Sequence, residues 1–184
     1  MESSKKINII GTNNRYMMKK VTHTNTIPHQ RKESKKWNLS DEMYTHNNQL
    51  LALKNICNSL NEHTKNEYDE LIVKQINKKI SGYKQQDILK KVYNEEKFIC
   101  LKNIIDNMIE TELKCRYCII EMLVLYDLTR ESNQWTVDRV DNNLGHNIDN
   151  YYLSCLDCNL KKKRKSDEKF LFTKQLNIIK NENI

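Results

Sequence analysis

The chain has 184 residues, enough for one sizeable core and not for several. Apolar residues make up 38% and charged residues 30%, and the longest apolar stretch, 118–126, is interrupted by Glu121. No segment approaches the roughly 20 residues that cross a bilayer, so no membrane partner is expected. Three glycines (Gly11, Gly82, Gly145) and the single Pro28 exclude a glycine-rich phosphate loop and a dinucleotide fingerprint.

The formal charge of +7 is unevenly placed. Residues 1–40 hold nine basic side chains against Glu2 and Glu33, leaving 22 basic and 22 acidic residues over 41–184. A polar, basic arm over 1–39 with few apolar residues predicts disorder in the free protein and a polyanionic partner, nucleic acid before membrane. A solubilising tail would have the same composition.

Ser40 reads as a helix N-cap followed by Asp41 and Glu42, with Met43, Leu50, Leu51, Ile56, Cys57 and Leu60 as an irregular apolar face. Tyr68, Leu71, Ile72, Ile76 and Ile80 predict a second helix ending at Gly82. A short third helix carries Ile88, Leu89, Val92 and Tyr93, and a fourth starts near Leu101 with Ile104, Ile105, Met108 and Ile109. Together they predict a helical subdomain over 40–112.

From residue 113 the texture changes. Trp135 and Val137, then Tyr151 and Leu153, alternate with polar residues as in two short strands, with Trp135 and Val137 on one core face. Between them lies the polar loop 141–150 with Gly145. A basic, helix-favouring run, Lys161, Lys162, Lys163, Arg164 and Lys165, is followed by Phe170, Leu171, Lys174, Gln175, Ile178 and Ile179 at helical spacing. The class expected is α+β: the helical subdomain, then a second module over 113–184.

Cys115-Arg-Tyr-Cys118 and Cys155-Leu-Asp-Cys158 are separated by 36 residues. Two such turns complete a tetrahedral shell of four thiolates, which suits a structural Zn²⁺ and leaves no open position. Nothing at the N-terminus reads as a secretory signal, so an intracellular, reducing compartment is expected, where paired thiols more often hold metal. Iron also accepts four thiolates and a redox dithiol needs one pair; two matched pairs favour zinc. Cys57 and Cys100 stand alone on apolar helical faces and are expected in the core.

Between the cysteine pairs stand Trp135-Thr-Val-Asp-Arg-Val-Asp-Asn, Gly145-His146 and Asn150, and Asn159 follows Cys158. This combination resembles the HNH endonucleases, the ββα-metal nucleases, in the form stapled by zinc between CxxC knuckles. The spelling is most similar to that of HNH proteins of phages and large DNA viruses, and the likeness covers about residues 113–176. The resemblance implies hydrolysis of phosphodiester bonds in DNA, with Asp138 and Asn159 holding Mg²⁺ or Mn²⁺ and Asn150 orienting the base. Such a hard cation takes oxygen ligands, with waters and a phosphate oxygen completing its octahedron.

Arg139 departs from the family, since it stands where the water-activating histidine belongs. A guanidinium stays protonated and cannot be a base, but its fork can clamp a phosphate. The base is then expected from His146, the only histidine after residue 63, or from Asp141. Outside the family context His146 is an ordinary loop histidine and Asp138 a salt-bridge partner of Arg139. The run 161–165 is expected either as a solvated face or as a phosphate-neutralising patch beside the site. Replacing Asp138 with Ala should abolish cleavage and leave the fold intact. The rival expectation is a non-catalytic zinc module that binds nucleic acid or docks a protein, and a third is a viral structural protein whose helices carry the function.

Overall fold

The computed structural model describes residues 31–58 and 66–176. All described residues belong to one compact unit, Arg31–Ile184. Residues 1–30 of the expected arm, Leu60 of the first helix, and Ile178 and Ile179 of the last lie outside the described residues. Residues 31–39 do not behave as an arm. The Glu33 amide donates to the Asp127 carbonyl at 2.7 Å, and Trp37 stacks on Tyr44 and meets Tyr126 edge-on, with ring centres 6.3 and 6.4 Å away. Docked aromatic area outweighs the polar composition that predicted disorder.

Ser40 precedes a 3-10 turn, Asp41–Tyr44, rather than the helix itself, because Thr45 is extended and Ser40 makes no capping bond. Helix α1 is His46–Asn58, burying Gln49, Ala52, Leu53 and Ile56 along one stripe while Leu51 stays exposed. Helix α2 is Glu67–Leu89; Asn66 caps it by accepting from the Asp69 amide at 2.8 Å, with Glu67, Asp69 and Glu70 in the first turn. It runs through Gly82, where a Cβ would meet open space, and takes in Ile88 and Leu89 of the expected third helix. A lone exposed glycine costs a helix only about 1 kcal/mol, less than the packing on either side of it supplies. Helix α3 is Leu101–Glu110, as its apolar spacing predicts.

The strands β1 (Trp135–Arg139) and β2 (Tyr151–Cys155) form a two-stranded antiparallel sheet, pairing Trp135 with Cys155 and Arg139 with Tyr151. Helix α4, Leu156–Lys162, follows at once, and α5 is Asp167–Gln175. The expected helical run through 161–165 is broken at Lys163, whose φ of 55° ends α4. The architecture is thus helices plus one small antiparallel sheet, the α+β class expected.

Both faces of β1 are covered. On one, Lys79 of α2 lies 4.8 Å over the Trp135 ring, and the Tyr151 hydroxyl of β2 donates to the Asn103 carbonyl of α3 at 3.1 Å. On the other, Asn159 and Lys162 of α4 reach Thr136 and Asp138. One core joins Leu53, Ile72, Ile76 and Ile105 to Trp135 and Leu153, so the boundary expected between 112 and 113 does not divide the fold. The helices could not bury their stripes, nor the hairpin its faces, without each other.

Candidate functional site

The knuckle at 115–118 closes by the Cys115 amide donating to the Ile120 carbonyl and the Ile119 amide to the Cys115 carbonyl, with Ile119 at φ 61°. The Arg116 amide donates to the Leu153 carbonyl, which holds the knuckle against β2. Cys155 ends that strand and caps α4, its sulfur accepting from the Cys158 amide. The sulfurs of Cys115, Cys118, Cys155 and Cys158 lie within 4.8 Å of one another, and Cys118 and Cys155 are 3.7 Å apart. A tetrahedral ion with bonds of about 2.3 Å needs sulfurs roughly 3.8 Å apart, so this cluster can hold a metal ion. Burial pushes the Cys158 thiol up to about 12, a cost that a coordinated dication removes. Cys57 is half-buried and Cys100 is exposed at the α3 N-cap, so Cys100 is not the core residue expected.

Beside the cluster lies a cleft of about 280 Å³, lined by Tyr83, Gln86, Asp138, Arg139, Asn142, His146, Asn159 and Lys163 among others. The hairpin, α4 and the loop therefore bring together four of the five residues expected to be catalytic. Asn150 is set back from the cleft. It accepts from the Asp141 amide at 2.8 Å and donates to the Asp141 and Gly145 carbonyls at 2.9 Å, so it braces the loop and does not touch the imidazole. Asp141 is committed likewise, accepting from the Asn143 amide.

His146 is 3% exposed. Its Nδ1 lies 2.7 Å from Oδ1 of Asp87, and its amide donates to Oδ2 of the same carboxylate at 2.6 Å. Tyr83, one turn before Asp87 on α2, stacks on the ring with centres 4.6 Å apart. Burial holds the imidazole below its ordinary value of 6.5; Asp87 opposes this, while Arg139 and Lys90 add to it. A carboxylate only accepts, so Nδ1 carries the ring proton and the neutral ring keeps its lone pair on Nε2.

Asp138 is buried, and its Oδ2 receives both the Tyr117 hydroxyl and the Lys162 ammonium, the latter at 2.8 Å. Lys162 is fully buried and also donates to the Arg139 carbonyl at 2.7 Å. It therefore leaves the basic patch expected over 161–165. Lys161 pairs with Asp157 at 2.7 Å, while Lys163 lines the cleft and Arg164 and Lys165 line a second cleft with residues 140–143. Arg139 turns one arm of its guanidinium into the loop: its Nη1 donates to the Leu144 carbonyl at 3.0 Å and the Asn142 carbonyl at 3.4 Å. Asn159 donates through Nδ2 to Thr136 at 3.0 Å and to the Val137 carbonyl at 3.2 Å, which leaves its amide oxygen for other partners.

Asp87, Tyr83 and Tyr117 are the side chains that sequence reading missed, and Lys162, expected in the basic patch, is instead the buried partner of Asp138. The one local signal was the Tyr83 and Asp87 pair, a helical turn apart on an otherwise polar stretch of α2. Compared with family models, with curated proteins and with solved structures, the chain has no match. Among the described residues no helix is long and apolar enough to cross a membrane.

Proposed function

We propose that this chain is an HNH-type endonuclease that hydrolyses phosphodiester bonds in DNA with a divalent cation. The observation that carries the reading is the cleft itself, which the buried His146 imidazole, the Asp138 carboxylate and the Asn159 amide line together at the junction of an antiparallel hairpin and the helix after it. In this reading β1, β2 and α4 are the ββα-metal unit. The four cysteines are its zinc staple, since four thiolates close the shell and leave zinc a structural role.

The oxygen donors fit a hard cation within a limit. Oδ2 of Asp138 is committed to Lys162 and Tyr117, so Asp138 would offer Oδ1 alone, with the amide oxygen of Asn159 beside it and waters for the rest. A bound Mg²⁺ or Mn²⁺ would stabilise the charge developing on the phosphorane and the leaving oxygen. His146 accepts the proton of the attacking water at Nε2 as the water oxygen bonds to phosphorus. The bond from phosphorus to the leaving 3′ oxygen breaks, and that oxygen keeps the electron pair and takes a proton from solvent. Arg139 braces the loop that carries His146, and its charge adds to the burial that holds the imidazole below its ordinary value.

Purified, zinc-loaded protein should nick supercoiled plasmid when Mg²⁺ or Mn²⁺ is added and not otherwise. The rate should rise with pH through a value below 6.5 and be flat from neutral upward, because the base works only unprotonated and burial lowers its pKa. The same residue stabilises the fold less as pH falls below 6.5, since the unfolded chain takes up that proton first. No nicking with any divalent cation, with salt-sensitive DNA binding retained, would end the nuclease reading.

One observation favours the rival, a non-catalytic zinc module that binds nucleic acid on a degenerate HNH scaffold: the Lys162 ammonium already neutralises Asp138. Under both readings Lys163, Arg164 and Lys165 face the phosphates. Changing all three to Gln should flatten the dependence of log affinity on log salt by about 0.9 for each duplex phosphate that is no longer neutralised. An unchanged slope in a filter-binding titration removes these side chains from the interface.

A further inference from the structure

We propose that Asp87 is the positioning residue of this site, holding His146 with Nδ1 protonated and Nε2 as the basic nitrogen. The inference rests on the nuclease reading of the cleft, and it assigns helix α2, outside the hairpin and its helix, a part in the chemistry.

Three restraints act on His146 from three directions. The carboxylate of Asp87 takes both the ring Nδ1 and the backbone amide, at 2.7 and 2.6 Å, so one side chain fixes the ring's edge and its own backbone together. The ring of Tyr83 covers one face, and its hydroxyl oxygen accepts from the Val137 amide of β1 at 3.0 Å, which ties the stacking partner to the strand that carries Asp138. The His146 carbonyl accepts from the Ile99 amide at 3.0 Å, in a segment where Phe98 and Asn147 also bridge. Rotation of the ring about either side-chain bond would break the contact to Asp87 or the stack on Tyr83.

Gly145 shows how closely the loop is drawn to the helix. A Cβ at this position would lie 2.6 Å from the Val92 carbonyl oxygen and 2.9 Å from Oδ2 of Asp87, closer than such atoms approach. The loop therefore reaches Asp87 only because residue 145 has no side chain. Asp87 itself is fully buried, so its charge acts on the imidazole with little screening by water. A carboxylate partner at Nδ1 sets the tautomer of the ring and stabilises the imidazolium that forms when Nε2 takes a proton.

The test uses the full-length, zinc-loaded protein with ¹⁵N-labelled histidine. Nitrogen chemical shifts of neutral His146 should report Nδ1–H and a bare Nε2. The opposite tautomer in the wild-type protein overturns the proposal without any variant. In Asp87→Asn the amide N–H can face Nδ1, so the tautomer should reverse. The nicking rate constant should then fall on the order of 10³- to 10⁴-fold, with KM for plasmid unchanged. Asp87→Asn that keeps the wild-type tautomer, or that keeps the wild-type nicking rate after the tautomer reverses, overturns the positioning role. If the wild-type protein does not nick DNA but the tautomer still reverses, Asp87 positions His146 as proposed and it is the nuclease reading that fails.

Discussion

Zinc-loaded wild-type protein is expected to melt in one cooperative transition, and Cys155→Ser is expected to lower that transition so far that the hairpin is unfolded at room temperature. Serine is among the best N-cap residues, so the start of α4 at residue 155 keeps its cap and the substitution isolates the loss of one thiolate. Structural zinc contributes on the order of 10 kcal/mol to the folding of small zinc units, comparable with the roughly 5–15 kcal/mol by which a whole domain is stable. Cys155 also faces Trp135 across the sheet, so the damage should spread into the core that the sheet shares with α2 and α3. Circular dichroism melts beside a zinc assay measure both effects, with Cys100→Ser as the control outside the cluster. A soluble, zinc-free Cys155→Ser protein with the wild-type melting curve would rule out a structural metal.

Asp138→Ala is expected to lose cutting and also to lose about 3–5 kcal/mol of stability, the cost of leaving one member of a buried ion pair alone. The expectation that this variant leaves the fold intact gives way here, because Lys162 is fully buried and Asp138 is its charged partner. Tyr117 would also lose its acceptor. The combined replacement Asp138→Leu with Lys162→Met removes both charges and should recover most of the stability while remaining inactive. Urea midpoints of the single and double variants, beside nicking assays, separate the two effects. An Asp138→Ala midpoint equal to wild type would mean that the pair with Lys162 is not formed.

The local chemistry was legible along the chain. Paired CxxC spacings, the alternation of Trp135 with Val137, and the helical spacing of Ile104, Ile105 and Met108 depend on neighbours within a few residues, and each appears in the fold where it was expected. The partners of the site residues were not legible. His146 meets Asp87 from 59 positions away, Asp138 meets Tyr117 from 21 positions away, and Arg139 turns into the loop carbonyls rather than toward a ligand. Lys162 looked like one more charge in a basic run; it is buried because it lies one turn beyond Asn159, on the side of α4 that covers β1. The pairing of the cysteines, the two strands and the helix of Ile104 and Ile105 are thus properties of the chain read alone, since backbone periodicity and ligand spacing are short-range, whereas the run of α2 through Gly82 and the break at Lys163 were decided by the fold. Which side chain holds which emerges on folding, because burial forces polar and charged groups to find partners in space without regard to their distance along the chain.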